Sequence, residues 1–242
     1  MNKLTPIRAV SITLIALLLG GCFGNQIKPE VKKQINTTEV QIIIKQPEIY
    51  AAIEKTAINS SPFGLLMAAT DGDRKQMRIE RANKAIKPVQ KVMKGYKVNG
   101  MAKQIYNKSM KQVSWLKSSK VNLVSRDMNL DERYEMTRKS KADAVMFIEV
   151  DYRLTDSFKG VEVISKVDMY RENSKDPAAK PETVYRTNHT YKWDLPNNAD
   201  GIYERDELGK KWSANRAAVL KEKIKEGLES EAQYLVKQMQ KS

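Results

Sequence analysis

Three groups of residues in this 242-residue chain carry side chains suited to chemistry: the single cysteine, Cys22, the single histidine, His189, and the carboxylates Glu149, Asp151, Glu162 and Asp168. Glu149 and Asp151 stand two apart in a strand-like stretch, so they share one strand face. Glu162 and Asp168 neighbour them if the next segment folds back as a hairpin. Paired carboxylates are the equipment of general acid–base hydrolysis, as in glycosidases. The competing expectation, which we prefer, is a solvated sheet face on which Arg153 and Lys166 are cross-strand partners. His189 alternates within a strand and has no second ligand at metal-binding spacing. A packing or surface histidine is therefore expected, with no metal and no cofactor. The chain contains no Gly-x-Ser-x-Gly, no Walker loop and no dinucleotide fingerprint. No catalytic residue is assigned, and the expectation is that the protein is not an enzyme.

Cys22 has a more informative setting. Lys3 and Arg8 precede an apolar run from Ala9 to Leu19, which is too short for the ~20 residues a membrane span needs. It reads as a removable signal peptide over residues 1–21. The run ends in Leu19-Gly20-Gly21-Cys22, which resembles the lipobox of bacterial lipoproteins. The resemblance implies cleavage before Cys22, with Leu19, Gly20 and Gly21 as the signal-peptidase site. It also implies lipid on the Cys22 thiol, with a palmitate-type acyl chain, and hence a membrane partner. Two acyl chains suffice for stable anchoring. The next residue is Phe23 rather than the Asp that would retain a lipoprotein in the inner membrane, so the resemblance implies the outer membrane and its periplasmic face.

With no second cysteine, no intramolecular disulfide can form, and stability must come from an apolar core. The formal charge is +14, and +12 once Lys3 and Arg8 are removed. In an exported protein this does not point to nucleic acid. The available anions are lipid head groups, lipopolysaccharide phosphates, cell-wall carboxylates and acidic protein faces. The basic residues look spread along the chain, as solvated helix faces would be.

The elements that would position these residues follow from periodicity. Residues 22–38 read as a polar, lipidated tether reaching on the order of 50 Å, and residues 39–242 as one domain. Val40–Ile44 reads as a strand. Ser60–Gly72 reads as an unusually apolar loop, in which Phe63, Leu65 and Leu66 either pack into the core or contact a partner or membrane. Asp73–Lys94 and Met101–Val113 read as helices, with Pro88 kinking or restarting the first. Val121–Val124 reads as a strand and Asp131–Lys141 as a short helix. Asp143–Leu154, Gly160–Arg171 and Thr183–Trp193 read as a meander, and Lys210–Lys241 as a long closing helix with Trp212, Leu220, Ile224, Leu228, Leu235 and Met239 as its stripe. Strands with helices laid over a mixed sheet make a layered α/β (α+β) fold.

The stretch Met101–Tyr191 is similar in element order to periplasmic α/β modules of the TolB amino-terminal, curli-secretion-lipoprotein and penicillin-binding-protein-activator kind. Its centre is Lys141-Ala142-Asp143-Ala144-Val145-Met146-Phe147. The whole chain resembles bacterial lipoproteins with a Ser-Pro-Phe-Gly-Leu-Leu type stretch, here Ser61–Leu66. These likenesses imply a binding or assembly module of the cell envelope, with an envelope protein or anionic envelope polymer as partner and oligomers open. The alternatives are a basic adaptor for peptidoglycan or lipopolysaccharide, and a hydrolase using Glu149 and Asp151.

Overall fold

The computed structural model describes residues 27–46, 48–52, 62–173, 176, 179–196 and 205–241, giving the backbone alone for 62–75, 118 and 119. The expected signal, Leu19, Gly20, Gly21 and Cys22 lie outside the described residues. The elements are α1 (Pro29–Lys32), β1 (Thr38–Ile43), β2 (Tyr50–Ala51), α2 (Pro62–Met93), α3 (Val98–Met110), β3 (Ser118–Val124), α4 (Leu130–Lys139), β4 (Ala144–Leu154), β5 (Gly160–Arg171), β6 (Glu182–Asp194) and α5 (Arg205–Lys241). They form the α/β layered fold that the periodicity predicts.

The sheet runs β3-β1-β4-β5-β6, and β2 pairs with β4 beyond the end of β1. β1 is parallel to both neighbours, setting Val40 beside Met146 and Ile42 beside Ile148. β4, β5 and β6 form the antiparallel meander. One face buries Val40 and Ile42 of β1, the residues from Ala144 to Leu154 at every second position of β4, and Val161, Val163, Val167 and Met169 of β5. α2, α3 and α5 cover this face. Among the described residues the other face is covered only at one end, where Ile43, Val145, Phe147 and Tyr170 pack with Met128 beneath α4. The first half of β4 is thus apolar on both faces because both are covered, and its second half alternates because only one is.

α4 is held by its own ends. Asn129 accepts from the Glu132 backbone N–H and Glu132 accepts from that of Asn129, both at 2.9 Å. Asp131 and Glu132 open the helix, and Arg138 and Lys139 close it, matching its dipole. Gly95, at φ 82°, ends α2 in the left-handed conformation that favours glycine.

Four expectations need correction. The apolar stretch that holds Phe63, Leu65 and Leu66 is not a loop but the first turns of α2. Pro62 suits the first helical position, and the Leu, Met and Ala that follow outweigh Gly64 and Gly72. Pro88 does not restart the helix, which continues to Met93. Of the expected tether 22–38, residues 27–38 belong to the domain: Ile27, Val31 and Ile35, one helical turn apart, are all buried in the main core. α5 is interrupted, with Ala214–Ala217 leaving helical geometry.

Candidate functional site

The uncovered half of the second sheet face carries the charged residues. Glu149, Asp151 and Arg153 alternate out of β4 opposite Lys166, Ile164 and Glu162 of β5. The β1–β2 connection brings Lys45, Gln46 and Tyr50 over them. Together these side chains line a hollow of about 560 Å³.

Each carboxylate in the hollow is tied down. Glu149 accepts from the Arg133 guanidinium of α4 and from Lys45 Nζ at 3.1 Å, and Lys45 also reaches Asp127 at 2.8 Å. Arg133 continues to Asp168 at 3.3 Å, and Asp168 also takes the Arg186 Nε–H at 2.5 Å. Asp151 accepts from the Tyr50 hydroxyl at 2.5 Å, with Arg153 at 3.8 Å, and Arg153 donates to Glu162 at 3.0 Å. Two groups are left over. The second carboxylate oxygen of Asp151, Oδ1, is buried without a hydrogen-bond partner. The ammonium of Lys166 is exposed and makes no ion pair with a described carboxylate, although it stands opposite Glu149 in the register.

The electrostatics oppose acid catalysis. Half-burial pushes the Glu149 carboxyl up, but hydrogen bonds and charge from Arg133 and Lys45 outweigh it and hold the group below the usual carboxylate range. A general acid needs the reverse. Tyr50 is pushed up to about 12, first by desolvation and then by Asp151, so it stays a hydrogen-bond donor.

A second polar cluster lies beneath the other sheet face. Glu231, on the apolar side of α5, is fully buried. It accepts from the Ser165 hydroxyl of β5 and pairs with His189 Nδ1 of β6 at 2.7 Å. The Tyr234 ring stacks on the imidazole with centroids 3.8 Å apart. The carboxylate sits in the middle, so Ser165 faces Glu231 rather than the histidine that would have to activate it as a nucleophile. Burial raises the Glu231 pKa. His189, expected as a packing or surface histidine, is half-buried against Tyr234 and Glu231. Among the described residues no group of three His, Cys, Asp or Glu could hold a metal ion.

No known protein-family profile matches the chain, and no curated protein matches it. A solved structure, that of the hypothetical protein CT253 from Chlamydia trachomatis, resembles it at 8% identity with a TM-score of 0.27, over 82% of this chain and 92% of that one.

The structure brings Glu149, Asp151, Glu162 and Asp168 onto one face, as their spacing predicts, with Arg153 as a partner. Lys166, the other expected partner, stays unpaired. Phe63, Leu65 and Leu66 lie on α2, far along the chain from this cluster. Lys45, Tyr50 and Arg133 were not legible as site residues, because their partners are set by the topology. Glu231 did carry a signal: an acid in register with Ile224, Leu228 and Leu235 on the apolar side of an amphipathic helix.

Proposed function

We propose that the protein is an envelope lipoprotein, held by lipid on Cys22 to the periplasmic face of the outer membrane, whose α/β domain binds a partner through the open half of its sheet. Location rests on residues 1–23, whose pattern resembles a lipoprotein signal. Binding rests on one observation: a hollow of about 560 Å³ whose acids are neutralised by neighbours, leaving the exposed Lys166 ammonium to be matched from outside. An occupant that accepts from the Lys166 ammonium suits the hollow, whose carboxylates already have cationic or hydroxyl partners. The element order shared with non-enzymatic periplasmic modules supports the same reading.

Two measurements test it. Intact-mass analysis of the full chain made in a bacterial host should show loss of residues 1–21 and an added lipid that Cys22→Ser abolishes. A photo-crosslinking residue at Ile164, which lines the hollow, should give a discrete adduct in cells, and the same residue at Val219, on the helical side, should not. An unmodified cysteine sinks the location, and equal adducts at both positions sink the binding face.

A further inference from the structure

The positive charge is not spread along the chain, contrary to its first appearance. Between Arg81 and Arg126 there are twelve Lys and Arg and not one Asp or Glu. Residues 22–242 carry +12 in all, so this one segment holds the whole excess and the rest is balanced. The structure exposes all twelve cations. Among the described residues, Lys84 reaches Asp206 at 3.9 Å and Arg126 reaches Glu132 at 2.7 Å. The other ten make no ion pair with a described carboxylate. The contrast with the sheet face is sharp, since Arg133, Arg153, Arg171 and Arg186 are all paired there.

The segment forms one continuous flank. It comprises the second half of α2, all of α3 and the edge strand β3, and it follows α5 in the same chain direction. Gly209 of α5 lies against the Ala85 backbone. Tyr96, between α2 and α3, donates to the Lys221 carbonyl at 3.1 Å. Trp115, after α3, donates to the Met239 carbonyl at 2.9 Å. From Lys221 to Met239, beyond the break in α5, a helix rises on the order of 27 Å, so the cations from Lys97 to Lys117 form a belt of roughly that length.

The belt meets the place where the chain joins the domain. Lys32 of α1 sits 5.1 Å over the Trp115 ring. Ile27 is already buried. Four residues lie between it and Cys22, and the five Cα steps span at most about 17 Å fully extended. A lipid on Cys22 would therefore hold the domain close to the bilayer, with the basic flank at the tethered end.

We propose that this flank, from Arg81 to Lys120, is a membrane-docking surface for phosphate-bearing anionic lipid head groups. The proposal deepens the lipid-anchor reading and rests on it for the choice of a membrane over other polyanions. Juxtamembrane cations gain from anionic head groups when they lie within a Debye length of the surface, and the short reach keeps them there. Docked this way, the domain turns the open half of its sheet away from the lipid.

The test uses residues 22–242 with Cys22→Ser, which keeps every described residue and removes the acyl chain. Sedimentation with vesicles should show binding when they contain about 30% phosphatidylglycerol in phosphatidylcholine and none to phosphatidylcholine alone, with binding lost between about 0.05 M and about 0.5 M salt. Lys87→Glu/Lys91→Glu/Lys94→Glu should weaken it by on the order of a hundredfold or more. Lys141→Glu/Lys159→Glu/Lys166→Glu, an equal charge change elsewhere, should weaken it far less. Matching circular dichroism melts confirm that the variants fold. Absence of binding, equal loss in both triple variants, or tighter binding to duplex DNA than to the anionic vesicles at matched salt overturns the proposal. Because no lipid is attached, these results are independent of whether Cys22 is acylated in cells.

Discussion

His189 Nδ1 of β6 and Glu231 Oε1 of α5 lie 2.7 Å apart, and this bond, with the one from Ser165, crosses the interface between sheet and helix, where Glu231 is fully buried. Glu231 is the carboxylate that the fold accommodates with most difficulty. Burial raises its pKa, so its contribution to stability is fully present below the unfolded glutamate value near 4.3 and is lost as pH rises through the raised folded value. Glu231→Gln has no such titration. Denaturant melts from pH 4 to 8 should show wild type losing stability relative to Glu231→Gln as pH rises. Parallel profiles would show that the pKa is not raised. Glu231→Leu should cost about 1–3 kcal/mol, because Ser165 and His189 both lose their acceptor.

Arg133 has the opposite relation to pH. It is nearly buried, and it neutralises Glu149 and Asp168 together. Arg133→Met should destabilise by about 1–3 kcal/mol at pH 7, because Glu149 and Asp168 each lose one of two cationic partners and keep Lys45 and Arg186. Glu149 has a lowered pKa, so the stability it contributes is present above about pH 4.3 and is lost as pH falls through the lower folded value. The penalty of Arg133→Met should therefore shrink in acid. A penalty independent of pH would mean that the arginine matters for packing over Phe147, not for charge.

The contrast between these clusters shows what was legible in sequence. Alternation along β4, β5 and β6 placed those three strands, because the faces differ in burial and a side chain reports its face directly, while the two-residue β2 gave no such signal. It also put Glu149 and Asp151 together. It did not reveal Arg133 or Lys45, which reach Glu149 from α4 and from the end of β1, since sequence distance does not encode such approaches. The short tether was misread because Ile27, Val31 and Ile35 are diluted by lysines, although their four-residue spacing is that of one helix face. The basic flank was missed because the total charge hides where the acids are absent.

Two glycines in helices should respond oppositely to alanine. At Gly227 of α5 an added Cβ would lie 2.4 Å from Val163 Cγ2 and 2.8 Å from Tyr191 Cδ1, so the helix must lift from β5 and β6. Gly227→Ala should cost about 1–3 kcal/mol. At Gly100 of α3 nothing lies within 4 Å of the added Cβ. Gly100→Ala should add up to about 1 kcal/mol by helix propensity alone. Urea melts of the two variants decide both, and a loss at Gly100 would mean that α3 approaches another surface there.

The break in α5 gives the last prediction. Asn215, Arg216 and Ala217 hold φ of 49°, 57° and 56°, three successive non-glycine residues in left-handed geometry. The conformation costs L-residues roughly 1–2 kcal/mol each, and glycine escapes most of that. Arg216 is exposed and Ala217 is buried, so Arg216 can be changed without disturbing the core. Arg216→Gly should stabilise the protein by about 1 kcal/mol, even though glycine in an ordinary helix would destabilise it by about as much. The sign of the shift in a urea midpoint is therefore decisive. A gain places the strain at the joint between the two halves of α5, and a loss would mean that the helix runs straight through.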